Sequence, residues 1–315
     1  MDSILTTVLP VFGMIVLGYG FTRAKIFDAA AGRGITLFVF NVAIPALLFK
    51  TVATMGPQQG APWGLWLAFF GGLAVTWVAA GFVSRFVPSL DYSGGAAASM
   101  AAGFGNLALL GTPLALAHFG QQVAIPLGMI LSIHAPILWF TAMLHRALFQ
   151  TTGGFSISRT AKDLFRALAT NGIVLGLLAG TLWRLTGLGL HPVFGTMFDM
   201  LADASVPTAL FALGVSLAGY SLKGSWSGMF TLIALKMVLM PLLVFLMVRY
   251  VVSIPPLWAE VAVLFAAMPT GANAFLFSQR NEEAVAAVSG SIALGTGLAA
   301  VSASVLLYLM DAGML

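Results

Sequence analysis

Cysteine is absent from the 315-residue sequence, and with it go disulfides, thiolate metal sites and thiol nucleophiles. Charge is scarce as well. Only 8% of residues are Asp, Glu, Lys or Arg, against about a quarter in a soluble domain, so most of this chain's surface cannot face water. Asp203 is an acid inside an apolar run, and four histidines are scattered along the chain. An intramembrane hydrolase needs paired acids, a Ser with a base, or a His/acid metal cluster. None of these patterns is present, so the chain is not expected to be an enzyme, to hold a metal or to carry a cofactor. The opening Met1-Asp2-Ser3-Ile4 has no basic residue ahead of the first apolar run, which favours a retained first helix over a cleaved signal peptide.

What the sequence does have is apolar length: 60% hydrophobic residues, with 35 Gly, 14 Pro and 15 Met. A helix needs about 20 apolar residues to cross the hydrocarbon core. Runs of that size predict spans near 4–22, 34–55, 63–87, 95–117, 123–148, 164–187, 196–220, 227–252, 257–279 and 284–310. The expectation is an all-α membrane protein with about ten transmembrane helices. The run 95–117 is rich in Gly and Ala and has poor helix propensity. The net charge of +4 is not a nucleic-acid signal, because the basic residues sit between apolar runs rather than on one patch. Arg23, Lys25, Arg33, Arg85, Arg146, Arg159, Lys162, Arg166, Lys223 and Arg280 all fall in alternate loops. The positive-inside rule then puts both termini outside the cytoplasm. Trp63, Trp66, Trp226 and Trp258 lie near helix starts, where an interfacial belt would have them.

The two halves resemble each other. Asn41-Val-Ala-Ile-Pro45-Ala-Leu-Leu-Phe49 in the second span is echoed by Asp203-Ala-Ser-Val-Pro207-Thr-Ala-Leu-Phe211 in the seventh. Residues 1–150 form one repeat of five spans, 151–163 a short cytoplasmic connector, and 164–315 a second repeat. An odd number of spans per repeat inverts the second copy, a pattern common in secondary transporters. The fourth span carries Gly103-Phe-Gly105-Asn106-Leu-Ala-Leu-Leu-Gly111-Thr-Pro113, and the ninth Met268-Pro269-Thr270-Gly271-Ala272-Asn273-Ala-Phe275. Proline removes a backbone donor, and unpaired backbone at membrane depth is tolerated only where protein or water satisfies it. Both spans are therefore expected to break, with Pro113 and Pro269 marking a crossover. Half-helix N-termini would be aimed at mid-membrane, where they favour an anion.

These residues resemble the auxin efflux carrier family, the plant PIN carriers and their bacterial relatives. The resemblance runs through Pro10–Phe27, Asn106–Pro113, Leu201-Ala-Asp203 with Ala209–Gly214, and Ala266–Gly271 with Phe275 and Phe277. It implies a five-plus-five inverted fold with broken crossover helices, like that of sodium/bile-acid symporters. Helices one, two, six and seven would form a scaffold, as a homodimer, and helices three to five and eight to ten an elevator-like transport domain. Bacterial members are associated with malonate, malate and related carboxylates, and with the inner membrane. The short connector leaves no room for the long regulatory loop of the plant carriers. An auxin-like aromatic carboxylate exporter, or a sensor or channel on the same fold, is the alternative.

Candidate substrate-binding residues are Asn106, whose amide can donate to a carboxylate, then Pro113, Pro269, Gly271, Asn273 and His134. Asp203 is either a coupling residue for H+ or Na+ or a scaffold contact, since an isolated charge at the bilayer centre costs on the order of 3 kcal/mol or more. Asn41, its repeat equivalent, is a further candidate for coupling. Lys236 either balances substrate charge, takes part in coupling, or snorkels, and Lys50 is read as a snorkelling lysine. Arg280, Asn281, Glu282 and Glu283 read as a solvated turn. The Gly176/Gly180 spacing and the small residues from Gly290 to Ala303 read as close helix packing.

Overall fold

Prolines and small polar residues set the helix boundaries. Asp28 accepts a hydrogen bond from the Ala31 N–H at 2.7 Å, and Asn171 accepts from the Ile173 N–H at 2.9 Å, each capping a helix start. Pro192 and Pro256 open two further helices, where a missing N–H costs nothing. A computed structural model describes residues 2–54, 62–90, 95–149, 162, 165–166, 168–224 and 226–314, with side chains from residue 6 onward. The expected connector 151–163 lies, apart from residue 162, outside the described residues.

In chain order the helices are α1 (Asp2–Arg23), α2 (Ala29–Thr54), α3 (Trp63–Val83), α4 (Ala96–Gly103), α5 (Leu107–Phe119) and α6 (Ala124–Phe149). Then come α7 (Gly172–Leu185), α8 (Pro192–Leu217), α9 (Trp226–Tyr250), α10 (Pro256–Ala266), α11 (Ala272–Asn281) and α12 (Val285–Asp311). Among the described residues six segments are long and apolar enough to cross a membrane, and α5, α7 and α10 are shorter apolar helices. The protein is therefore a multi-pass, all-helical membrane protein. Among the described residues the only β pairing is an isolated antiparallel bridge.

Among the described residues three helices contain a π turn, and each turn ends just before a proline. Val39–Ala43 precedes Pro45, Leu107–Gly111 precedes Pro113, and Leu235–Leu239 precedes Pro241. Proline cannot donate to the carbonyl four residues back, and its ring crowds it. Widening one turn relieves the clash without stopping the helix. This corrects the expectation at Pro113: the helix runs through it from Leu107 to Phe119, and the break falls at Phe104–Asn106.

The chain forms two compact units. The first comprises Met1–Pro62, Ala108–Ser132 and Phe165–Gly219, and the second Trp63–Leu107, Ile133–Leu164 and Tyr220–Leu315. In the first unit α1 packs on α8 and α2 on α7. A methyl group at Gly176 would lie 2.6 Å from the Pro45 carbonyl oxygen, and one at Gly180 2.6 Å from that of Phe49. The two glycines thus let α7 approach the α2 backbone directly, as their spacing suggested. In the second unit α3 packs on α9 and α4, and α11 and α12 pack together.

Trp63 and Trp226 are exposed at their helix starts, as a lipid-facing belt requires, but Trp258 is buried, which corrects its reading as an anchor. The turn after α11 also differs from expectation. Glu283 is buried and lies 3.7 Å from the Arg146 side chain, and its carbonyl accepts from the Ser278 hydroxyl. It is a tie between the end of α6 and the α11–α12 turn, not a solvated acid.

Candidate functional site

In the second unit the chain leaves α4 at Gly103 and re-enters helix at Leu107. It leaves α10 at Ala266 and re-enters at Ala272. The two gaps lie antiparallel, bridged at Gly105 and Thr270. The Asn106 N–H donates to the Pro269 carbonyl at 2.7 Å, and the Gly271 N–H donates to the Phe104 carbonyl at 2.8 Å. All of these residues are buried. Glycine is needed here for closeness: a methyl group on Gly271 would sit 2.9 Å from the Gly105 carbonyl oxygen.

A broken helix also leaves carbonyls at its C-terminal end without helical partners, and here side chains supply two of them. The Thr270 hydroxyl donates to the Ala101 carbonyl at 3.0 Å, and the Lys236 Nζ to the Ala266 carbonyl at 2.6 Å. Lys236 has no exposed surface, which excludes the snorkelling reading. Its Nζ also lies 3.2 Å from the Met240 sulfur, and a methyl group on Gly105 would be 3.2 Å from that Nζ. The lysine amine is thus packed directly under the crossing. The π turn Leu235–Leu239 that carries it owes its shape to Pro241.

On the N-terminal side the main chain stays open. Gly271 is the N-cap of α11, and no side chain caps that helix, so its first-turn N–H groups carry partial positive charge toward whatever lies ahead of them. Asn273 is half-buried in that same first turn, and Asn106 is 7% exposed at the bridge. His134, on α6, is buried with its ring 4.6 Å from Phe104 and 6.0 Å from Phe69. It is hydrogen-bonded to the Gly103 backbone, while its Nε2 has no partner. The structure therefore gathers Asn106, Pro269, Gly271, Asn273, His134 and Lys236 in one unit. Pro113 falls in the other.

The remaining candidates lie in the first unit. Asp203 is exposed and, with Lys50, Thr51, Thr54, Gln121, Gln122 and Asp199, lines a cavity of about 310 Å³. Lys50 forms an ion pair with Asp199, which corrects its reading as a free snorkelling residue. Asn41 is exposed, and its amide donates to the Leu37 carbonyl of its own helix at 3.0 Å. Sequence reasoning missed Gly105, Thr270 and Asp199. The first two flank residues it chose. Asp199, one turn before Asp203, was visible only as an i, i+4 acid pair.

A family model described as "Membrane transport protein" matches residues 3–307. The chain belongs to that family. It is similar along its whole length to a Rhizobium meliloti protein described as "Putative malonate transporter", at 28% identity over 317 residues, 100% of this chain and 98% of the other. It is also similar to the Arabidopsis thaliana protein "Auxin efflux carrier component 8", 22% identical over 361 residues, 98% and 97% of the two chains. An "Uncharacterized transporter" of Methanothermobacter thermautotrophicus is 26% identical over 313 residues, 94% and 95% of the two chains. The resemblance to auxin efflux carriers is thus found independently of the fragments that suggested it. The chain is a membrane transporter rather than an enzyme.

Proposed function

We propose that this transporter carries a small organic anion, a mono- or dicarboxylate such as malonate or malate, by alternating access around the crossing of residues 104–106 and 269–271. The observation that carries this reading is the crossing itself. Its backbone is satisfied internally on the carbonyl side, while the uncapped start of α11 is left to face a ligand. Partial positive charge in a water-poor site is suited to a carboxylate. The Asn106 and Asn273 amides would donate to it, with Pro269, Gly271 and His134 shaping the site, while Pro113 sets the π turn of α5. The 28% identity to a protein described as a malonate transporter supports the carboxylate class.

The reading extends to a five-plus-five inverted repeat of ten crossings in the inner membrane, with both termini outside the cytoplasm. Helices one, two, six and seven form a dimeric scaffold, and the others move as an elevator. The two compact units, which largely follow that division, support it. Coupling to H+ or Na+ runs through Asp203, in the polar cavity of the first unit.

The test is uptake of radiolabelled carboxylates into proteoliposomes. A carrier gives saturable uptake and accelerated counterflow; a channel or sensor gives neither. Replacing Asn106 by Ala should lower uptake roughly tenfold or more, on the scale of one lost hydrogen bond to a charged group, without unfolding the protein. Normal uptake by Asn106→Ala removes the site assignment. Saturable uptake of indole-3-acetate but of no short carboxylate would move the substrate class to aromatic acids.

A further inference from the structure

A lysine buried in a membrane protein needs something to meet its charge. The cost of an isolated charge there is on the order of 3 kcal/mol or more, and the remedy is a carboxylate partner, a ligand, or both. Lys236 has two neighbours for its amine, the Ala266 carbonyl and the Met240 sulfur, and neither carries a charge. Among the described residues no acid forms an ion pair with it.

Among the described residues, the helices packed against it supply no counter-ion. The helices α3 and α4, packed against its π turn, hold no titratable side chain. Its own helix has Arg249 and Tyr250, both in the last turn. Glu260 on α10 precedes Ala266 by six residues, roughly 9 Å of helix rise, and has an interaction of its own. His134 is close enough to feel the charge of Lys236, but it is a base rather than an acid. A buried amine at the crossing with no counter-charge is the complement of an anion.

Resting on the carboxylate reading above, we propose that Lys236 is the fixed counter-charge of the transported anion and the residue that makes the crossing select a carboxylate over its neutral isostere. The geometry explains how it can serve. The bond to the Ala266 carbonyl holds the amine at the crossing, and the missing Cβ of Gly105 lets it pack directly against the crossing backbone. A bound carboxylate then converts an unpaired buried charge into a pair, so binding is strongest for an anion and weak for an amide of the same shape.

The experiment is a thermal-shift titration of purified full-length protein with malonate, malate and succinate, and separately with malonamide. Wild type should be stabilised by at least one of the three acids and by malonamide far less. Lys236→Gln is the informative variant, because its amide can still donate to the Ala266 carbonyl while the charge is gone. It should bind the acid roughly tenfold to hundredfold more weakly, the scale of a hydrogen bond to a charged group, with its affinity for malonamide unchanged or raised. Lys236→Met, with neither charge nor donor, should lose the acid and also melt lower than the Gln variant. If Lys236→Gln binds the acid as wild type does, the lysine is only a cap for a broken helix and the proposal is wrong, although the carboxylate site stands. If wild type binds none of the acids while remaining folded, the site reading itself falls, and this proposal with it.

Discussion

Lys50 and Lys236 are lysines of similar sequence context and opposite fate. Both sit in apolar segments. Lys50 keeps 28% of its side chain exposed, pairs with Asp199 and lines an open polar cavity. Lys236 is completely buried and has only a backbone carbonyl and a thioether for company. An exposed ion pair is screened and contributes about 0–1 kcal/mol. A buried amine with no acid is costly to keep, and a fold retains it where something else depends on it. The difference separates a polar region that tolerates change from one that does not.

Substitutions should divide accordingly. The largest effect is expected at the second site. Lys236→Met leaves the Ala266 carbonyl without its donor, a loss of about 1–3 kcal/mol, and should reduce carboxylate uptake to background in proteoliposomes. Gly271→Val comes next. Its added carbons collide with the Gly105 carbonyl and should lower stability by about 1–3 kcal/mol, read as a lower melting temperature together with lost uptake. Asp203→Asn should leave the melting temperature within a few degrees of wild type and remove the pH dependence of transport, if a proton is the coupling ion. Retained pH dependence with a sodium requirement would assign coupling to Na+ elsewhere. The smallest effect is that of the Lys50–Asp199 pair: a double-mutant cycle of Lys50→Met and Asp199→Asn should give a coupling of about 1 kcal/mol or less in stability. A large coupling there, with a silent Lys236→Met, would reverse the contrast between the two lysines.

The same contrast marks what the sequence could and could not convey. The break in the ninth span was legible, because Pro269-Thr270-Gly271 combines a missing donor with a residue that allows close backbone approach. In the fourth span the proline misled. Pro113 is absorbed by the π turn Leu107–Gly111, and the break falls at Phe104-Gly105-Asn106, a stretch with no proline to mark it. A π turn has no sequence signature apart from the proline it accommodates, so the two outcomes look alike in one dimension. Lys236 was ambiguous because reaching water is the usual solution for a lone lysine in a span. Only the fold shows it aimed at the end of a helix 30 residues further on. The pairing of Lys50 with Asp199, and of Arg146 with Glu283, joins residues far apart in the chain, which no local pattern reveals.

The absence of cysteine makes the decisive measurement simple. A single Asn273→Cys substitution places the only thiol of the protein in the uncapped first turn of α11, and its rate of alkylation by a small maleimide can be followed with and without malonate. If the transported anion binds at the crossing, malonate should slow labelling several-fold, saturably, at the concentrations that saturate uptake. Labelling at an unchanged rate, in a variant that still transports malonate, would contradict the placement of the substrate there.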